Sequence, residues 1–343
     1  MSKTVPRILL IYTGGTIGMI KDFKSGTLKA FNFDKLLKHI PELKLLKCEI
    51  ETISFENPID SSDMNPGLWK KLGSLIFKHY DDFEGFVVLH GSDTMSFTAS
   101  ALSFMFENLQ KPIIFTGSQL PIGDLRTDAK ENVITAIQLA ALQKNGRAVI
   151  REVGLYFEYK LLRANRTSKI NAEHFEAFKS YNYPSLAVSG VNLVINYDHL
   201  FQPSKDQPLI YRDGLVTEIV VIKLFPGINN EITSEIMSNK KIKGIILETF
   251  GAGNALTSKW FVALLENLKF RKVPVINCTQ CKMGTVQMTK YETGRQLLQQ
   301  GVISGNDITI ESAITKLMFL LNENLNYKQF KTKYETSLRG EIL

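Results

Sequence analysis

Ile8-Leu9-Leu10-Ile11-Tyr12-Thr13-Gly14-Gly15-Thr16-Ile17-Gly18 is the stretch whose reading sets the fold. Its apolar half reads as a strand buried on both faces, the kind found in parallel sheets. It stops at two threonines set around two glycines, and glycine lets a backbone turn sharply and come close to a ligand. Thr16 falls just past the carboxyl end of this first strand, where open α/β sheets bind their ligands. It is the candidate nucleophile on which the other signals converge.

The same grammar recurs down the chain. A first strand over residues 6–12 is followed by a polar, glycine-containing segment at 21–34 that reads as a mobile loop. Cys48 to Phe55 alternates like a strand and ends in Asp60-Ser61-Ser62-Asp63. Asn65-Pro66 then reads as an N-cap with proline in the first helical turn, and Leu68, Leu72, Leu75, Ile76 and His79 recur at helical spacing. Phe86-Val87-Val88-Leu89 leads into His90-Gly91-Ser92-Asp93-Thr94 and a helix running to about Leu109. Residues 112–115 lead into Thr116-Gly117-Ser118-Gln119, with a helix from about Asp128 to Leu142. Strand, polar turn and helix in repetition predict a doubly wound parallel sheet. From Asp198 to Glu218 the rhythm lapses, and afterwards it resumes. The expected organisation is a larger N-terminal α/β domain over 1–197, a linker at 198–218, and a smaller C-terminal α/β domain over 219–343.

Composition narrows the function classes. The chain has 343 residues, 44% hydrophobic and 22% charged, ordinary for a protein with a sizeable core. No run approaches the roughly 20 apolar residues of a membrane span. No signal-peptide core precedes the first strand, and three cysteines make no disulfide scaffold. These features predict a cytoplasmic protein. The net charge of +7 is scattered over Lys240-Lys241-Ile242-Lys243, Lys269 to Lys272 and Lys328 to Lys333. With no recognition motif beside them they read as solvated surface, so neither nucleic acid nor membrane is an expected partner.

Four strands end in hydroxyl- or carboxylate-bearing turns: Thr13/Thr16, Ser61/Ser62/Asp63, Ser92/Asp93/Thr94 and Thr116/Ser118. Each alone fits a helix cap; four on successive strands point to a shared site at one sheet edge. The five histidines lack metal-ligand spacing, and no Gly-x-Ser-x-Gly elbow is present. A threonine nucleophile with a base other than histidine is what remains. Lys169, in Asn165-Arg166-Thr167-Ser168-Lys169, is the candidate base, since a lysine serves once burial and neighbours hold it neutral. No metal or cofactor is expected.

Thr13-Gly14-Gly15-Thr16-Ile17-Gly18 and His90-Gly91-Ser92-Asp93-Thr94-Met95 resemble the two signatures of the L-asparaginases. Asp60-Ser61-Ser62-Asp63-Met64, Thr116-Gly117-Ser118-Gln119, Asn165 to Lys169 and the tail Leu338-Arg339-Gly340-Glu341 look like the cytoplasmic type I bacterial branch. The resemblance spans essentially the whole chain. It implies hydrolysis of L-asparagine to L-aspartate and ammonia, with Thr16 as primary nucleophile and Ser92, Asp93 and Lys169 as the second catalytic group. It implies substrate binding by Asp60, Ser61, Ser62, Asp93 and Ser118, with Asn254 reaching a neighbouring subunit's site, in a homodimer or homotetramer.

Two departures from the pattern stand out. Serine occupies position 92, where the family usually has threonine. The segment from Lys21 to Phe31 holds no tyrosine, although many members place one there to activate the nucleophile; Thr27, a water or Lys169 are the substitutes at hand. The rival readings are an NAD-linked short-chain-type oxidoreductase, a non-catalytic amino-acid-binding regulator and an amidotransferase subunit. The first draws on the glycine-rich turn and on Tyr156-Phe157-Glu158-Tyr159-Lys160. That segment reads as strand, where its tyrosine and lysine lie about 13 Å apart instead of the about 6 Å of a helix. Cys278-Thr279-Gln280-Cys281 reads as plain structural cysteine, too few for a zinc site.

Overall fold

The computed structural model describes residues 5–21, 28–30, 40–204 and 207–343, and the chain divides into two compact units, Met1–Asp213 and Gly214–Leu343. In the first unit the strands of the main sheet are β1 (Arg7–Gly14), β2 (Glu49–Ile59), β3 (Gly85–Leu89), β4 (Ile113–Thr116), β5 (Val153–Phe157), β6 (Lys160–Arg163), β7 (Ala187–Ser189) and β8 (Leu193–Ile195). Among the described residues they form one sheet in the order β8-β7-β6-β5-β4-β3-β1-β2. The five strands from β2 to β5 run parallel, and β6, β7 and β8 continue antiparallel. The parallel part has the order 2-1-3-4-5, which reverses direction between β1 and β3. Such a switch point opens a crevice at the carboxyl ends of the strands.

Burial explains why β1 is apolar throughout. Ile8, Leu10 and Tyr12 join a core cluster with Val87, Leu89 and Ile114 and with Val133, Ala136 and Ile137 of helix α3 (Ala129–Ala140). Leu9 and Ile11, on the alternate face, are buried as completely. Helix α1 (Pro66–Lys78) begins as its sequence foretells, with the Asn65 side chain accepting from Leu68 N. Its buried face runs through Trp69, Leu72, Gly73 and Ile76, while Leu68, Leu75 and His79 lie at the margin. Trp69 Nε1 donates to Thr98 Oγ1 of helix α2 (Met95–Met105) across 3.0 Å. That helix stops at Met105 and not near Leu109, because Phe106–Glu107 turns extended to pair with Ile210–Tyr211 and Asn108 takes a φ of 59°. The same pairing builds the first part of the 198–218 stretch into the first unit.

Most of the segment expected as a mobile loop, 22–27 and 31–34, lies outside the described residues, Thr27 included. Of the rest, Met19–Lys21 pairs antiparallel with Leu28–Ala30. The Tyr156–Lys160 segment is a tight hairpin: β5 ends at Phe157, Glu158 and Tyr159 turn with positive φ, and β6 begins at Lys160. This is strand and turn, not the helix that an oxidoreductase's paired tyrosine and lysine need.

The second unit is a parallel sheet of β9 (Ile219–Lys223), β10 (Gly244–Thr249), β11 (Val275–Thr279) and β12 (Ile303–Ser304), in that order. Helices α4 (Asn230–Ser238), α5 (Lys259–Phe270), α6 (Glu292–Gln299), α7 (Ile310–Asn322) and α8 (Tyr327–Glu335) complete it.

Candidate active site

Glycines set the geometry at the switch point. Gly15 holds φ 90° and ψ 172°, in the left-handed half of the map that glycine alone enters freely. A Cβ there would lie 2.5 Å from the Cα and N of Gly91. A Cβ on Gly91 would in turn lie 2.5 Å from Ser61 Oγ and 2.7 Å from its Cβ. On the other flank the β1–β2 register slips between Tyr12 and Gly14, which brings Ile59 beside Gly14. The turns after β1, β2 and β3 are therefore stacked backbone on backbone, a closeness that any side chain at these positions would prevent.

Hydroxyls then fasten the turns to one another. Thr13 Oγ1 donates to Leu89 O at 2.9 Å, and Thr94 Oγ1 donates to Ser61 O at 2.6 Å. Asp60 caps the short turn Ser61–Asp63, accepting from Ser62 N at 2.9 Å and from Ser62 Oγ at 2.8 Å. Those two donors hold its carboxyl below the ordinary aspartate range. Thr116 Oγ1 donates to Tyr156 O at 2.8 Å and ties β4 to β5.

Thr16 opens the short 3-10 turn Thr16–Gly18 beyond β1 and is partly exposed. Ser92 and Asp93 follow Gly91 beyond β3. Lys169 arrives from Ser168–Lys169, paired antiparallel with Phe178–Lys179. Its Nζ donates to Ser92 Oγ at 2.8 Å and meets Asp93 Oδ1 at 2.5 Å. The Lys169 side chain is 18% exposed and that of Asp93 66%, so the ammonium is sheltered while the carboxylate stays open to an incoming ligand. Lys169, 77 and 76 positions away in sequence, thus forms one cluster with the adjacent Ser92 and Asp93.

Gln119 is a member that the motif reading passed over. Ser92 Oγ donates to Gln119 Oε1 at 3.3 Å, and Gln119 Nε2 donates to His174 O at 3.0 Å. The Asp128 carboxylate anchors this loop by accepting from Gln119 N and Leu120 N, and burial raises its pKa. The signal was available: an aspartate at a helix start, eight or nine residues beyond the Ser118 turn. Ser118 itself is buried, and its hydroxyl donates to Leu120 O at 2.6 Å.

Asn254 belongs to the second unit, where Phe250 and Asn254 bridge and Thr293 Oγ1 donates to Asn254 Oδ1 at 2.8 Å. Cys278 is buried, which pushes its thiol up to about 12, and Cys281 is exposed. Among the described residues no group of three histidine, cysteine or acidic side chains is placed to hold a metal ion, and no helix is long and apolar enough to cross a membrane.

Comparison with known proteins adds to this geometry. Residues 7–200 match the family model "Asparaginase, N-terminal", and residues 218–333 match "Glutaminase/Asparaginase C-terminal domain". L-asparaginase 1 of Escherichia coli strain K12 is 39% identical over 336 residues, covering 98% of this chain and 97% of that one. The crystal structure of L-asparaginase I from Vibrio cholerae superposes with a TM-score of 0.89 at 38% identity, covering 99% of this chain and all of that one. The thermostable L-asparaginase from Thermococcus kodakarensis gives a TM-score of 0.88 at 31% identity, covering 98% and 99%.

Proposed function

The chain belongs to the asparaginase family and hydrolyses L-asparagine, and from that premise we propose that Thr16 is its nucleophile. The observation that supports this reading is the stacking of the glycine turns: a Cβ on Gly15, the residue before Thr16, would lie 2.5 Å from the backbone of Gly91, the residue before Ser92. Thr16 Oγ adds to the side-chain amide carbon of asparagine. The tetrahedral adduct collapses to an ester on Thr16 as the nitrogen takes a proton and leaves as ammonia. Water then adds to the ester, and collapse frees aspartate and restores the hydroxyl.

Ser61 and Asp93 grip the two ends of the zwitterion, Ser61 the carboxylate and Asp93 the ammonium. Asp60 and Ser62 hold the turn that presents Ser61, and Ser118 shapes the loop that carries Gln119. Asp93 links binding to chemistry. Without substrate it neutralises Lys169. When the substrate ammonium takes that carboxylate, Lys169 Nζ keeps its contact with Ser92 Oγ at 2.8 Å. Lys169 and Ser92 exchange a proton, and the relay takes up the Thr16 proton as general base and returns one to the leaving nitrogen as general acid.

The neighbouring-subunit role of Asn254, a homodimeric or homotetrameric state and a place in the cytoplasm complete the proposal. The test is ammonia release from L-asparagine, D-asparagine and L-glutamine by the wild type and by Thr16→Val. The wild type favours L-asparagine over L-glutamine, because a 1 Å misplacement of the amide carbon costs on the order of 100-fold. Thr16→Val keeps the fold and loses nearly all turnover; a tenth of wild-type activity in that variant removes Thr16 as sole nucleophile.

A further inference from the structure

A cavity of about 590 Å³ is lined largely by the segment that joins α3 to β5. Its wall carries Lys144, Arg147, Arg151, Tyr197 and Gln202, and no carboxylate. The volume is in the range of small-molecule sites, about 300–1,000 Å³. Arg151 stands two residues before β5, at the amino end of that strand, whereas the catalytic turns follow the carboxyl ends of β1, β2 and β3 in the same parallel array.

Two features set this wall apart from a solvated basic surface. Lys144 and Arg147 face each other directly in the two-residue ladder that flanks Asn145 and Gly146. Like charges directly opposite on paired strands are destabilising, with Cβ atoms about 4.5–5.5 Å apart. A fold that needed only solubility here gains from an opposite charge at either position. Second, the Arg151 guanidinium is already oriented, donating to Gln202 Oε1, while Glu152, next to it in sequence, is taken up by Arg163 Nε at 2.6 Å. Among the described residues none of the three cations makes an ion pair. Tyr197 is 52% exposed, with Lys144 Nζ 5.1 Å from its ring centroid, which adds a flat apolar surface beside the charges.

We propose that this cavity binds a small polyphosphate-bearing anion, its phosphates between Lys144, Arg147 and Arg151 and its ring system, where it has one, against Tyr197. Guanidinium forks match phosphate oxygens in geometry as well as charge, and an anion there relieves the Lys144–Arg147 opposition.

Tripolyphosphate and ATP, both free of magnesium, are titrated calorimetrically into the full chain at about 0.15 M salt, where the Debye length is about 8 Å. Both bind with dissociation constants below about 1 mM. Arg147→Gln/Arg151→Gln and the exposed single variant Lys144→Glu each weaken binding about tenfold or more, the scale of a lost charge-assisted hydrogen bond. Lys240→Gln/Lys241→Gln removes two charges elsewhere and leaves binding unchanged. ATP binding more tightly than tripolyphosphate supports the Tyr197 contact, and equal affinities overturn that contact. Heat from neither anion, an equal loss in the Lys240/Lys241 control, or inhibition competitive with L-asparagine overturns the site.

Discussion

Ser92 Oγ sits between one donor and one acceptor, Lys169 Nζ at 2.8 Å and Gln119 Oε1 at 3.3 Å. If Ser92 and Lys169 pass one proton, removing either breaks the same step. Ser92→Ala and Lys169→Met should then each cost about 10²–10⁴ in turnover, mostly in kcat. Their double variant should be little worse than either, and fully additive losses would show that they act separately. His90 gives a second test at this scale. Its Nδ1 lies 2.7 Å from Gly91 O, and a carbonyl only accepts, so Nδ1 carries the proton. Among the described residues Nε2 is buried without a partner, and burial depresses the pKa from 6.5 to about 4. Because the folded value lies below the unfolded one, the unfolded chain takes up the proton first. The stability that the neutral ring contributes is complete above about pH 6.5 and drains away towards pH 4, by on the order of 3 kcal/mol. Urea midpoints for the wild type should fall across that window, and those of His90→Asn, which cannot ionise, should fall less steeply.

At the scale of elements, the site depends on turns packed too closely for side chains. Gly91→Ala would set a Cβ 2.7 Å from Ser61 Cβ, a clash that no rotation of the short serine side chain relieves. The turn after β2 must move, and with it the group assigned to the substrate carboxylate. A rise in KM for L-asparagine of about tenfold or more is expected; an unchanged KM would mean that Ser61 does not hold the substrate. These turns also show what the sequence discloses. Apolar strands ending in Gly-Ser-Thr-Asp turns are local patterns, so the parallel sheet, the Asn65 cap and the hydroxyl-rich ends were legible. The hairpin after β5 was not, because Glu158 and Tyr159 take positive φ without glycine or asparagine to announce it, and only tertiary packing selects that turn. The early end of α2 was hidden likewise, since its cause, Ile210–Tyr211, is 104 residues beyond Phe106. The grouping of Gln119 with Ser92 is a side-chain contact across 27 positions, which no local pattern carries.

At the scale of the whole molecule, each unit holds one of the two tryptophans, Trp69 and Trp260, so each can be followed separately in Trp69→Phe or Trp260→Phe backgrounds. The second unit is closed by its own last residues. Lys316 on α7 is fully buried, and Nζ meets Glu341 Oε1 at 2.5 Å and donates to Tyr334 O and Thr336 O at 2.7 and 2.8 Å. Glu341, equally buried, also accepts from Leu338 N and Arg339 N, and Leu343 N donates to Asp307 Oδ1. Burial works to lower the Lys316 pKa and Glu341 opposes it, so the ammonium depends on its partner. Removing one member of a buried pair costs about 3–5 kcal/mol, whereas an apolar pair of similar volume in its place is often neutral. Glu341→Ala should therefore lower the unfolding midpoint of the second unit sharply, read by Trp260 in the Trp69→Phe background. Lys316→Met should cost less, because the Leu338 and Arg339 amides still serve Glu341. Lys316→Met/Glu341→Leu should lose much less than Lys316→Met and Glu341→Leu taken singly and summed, a non-additivity expected of residues in direct contact. A double variant as unstable as the sum of its singles would mean that the tail is held by its backbone contacts and not by this pair.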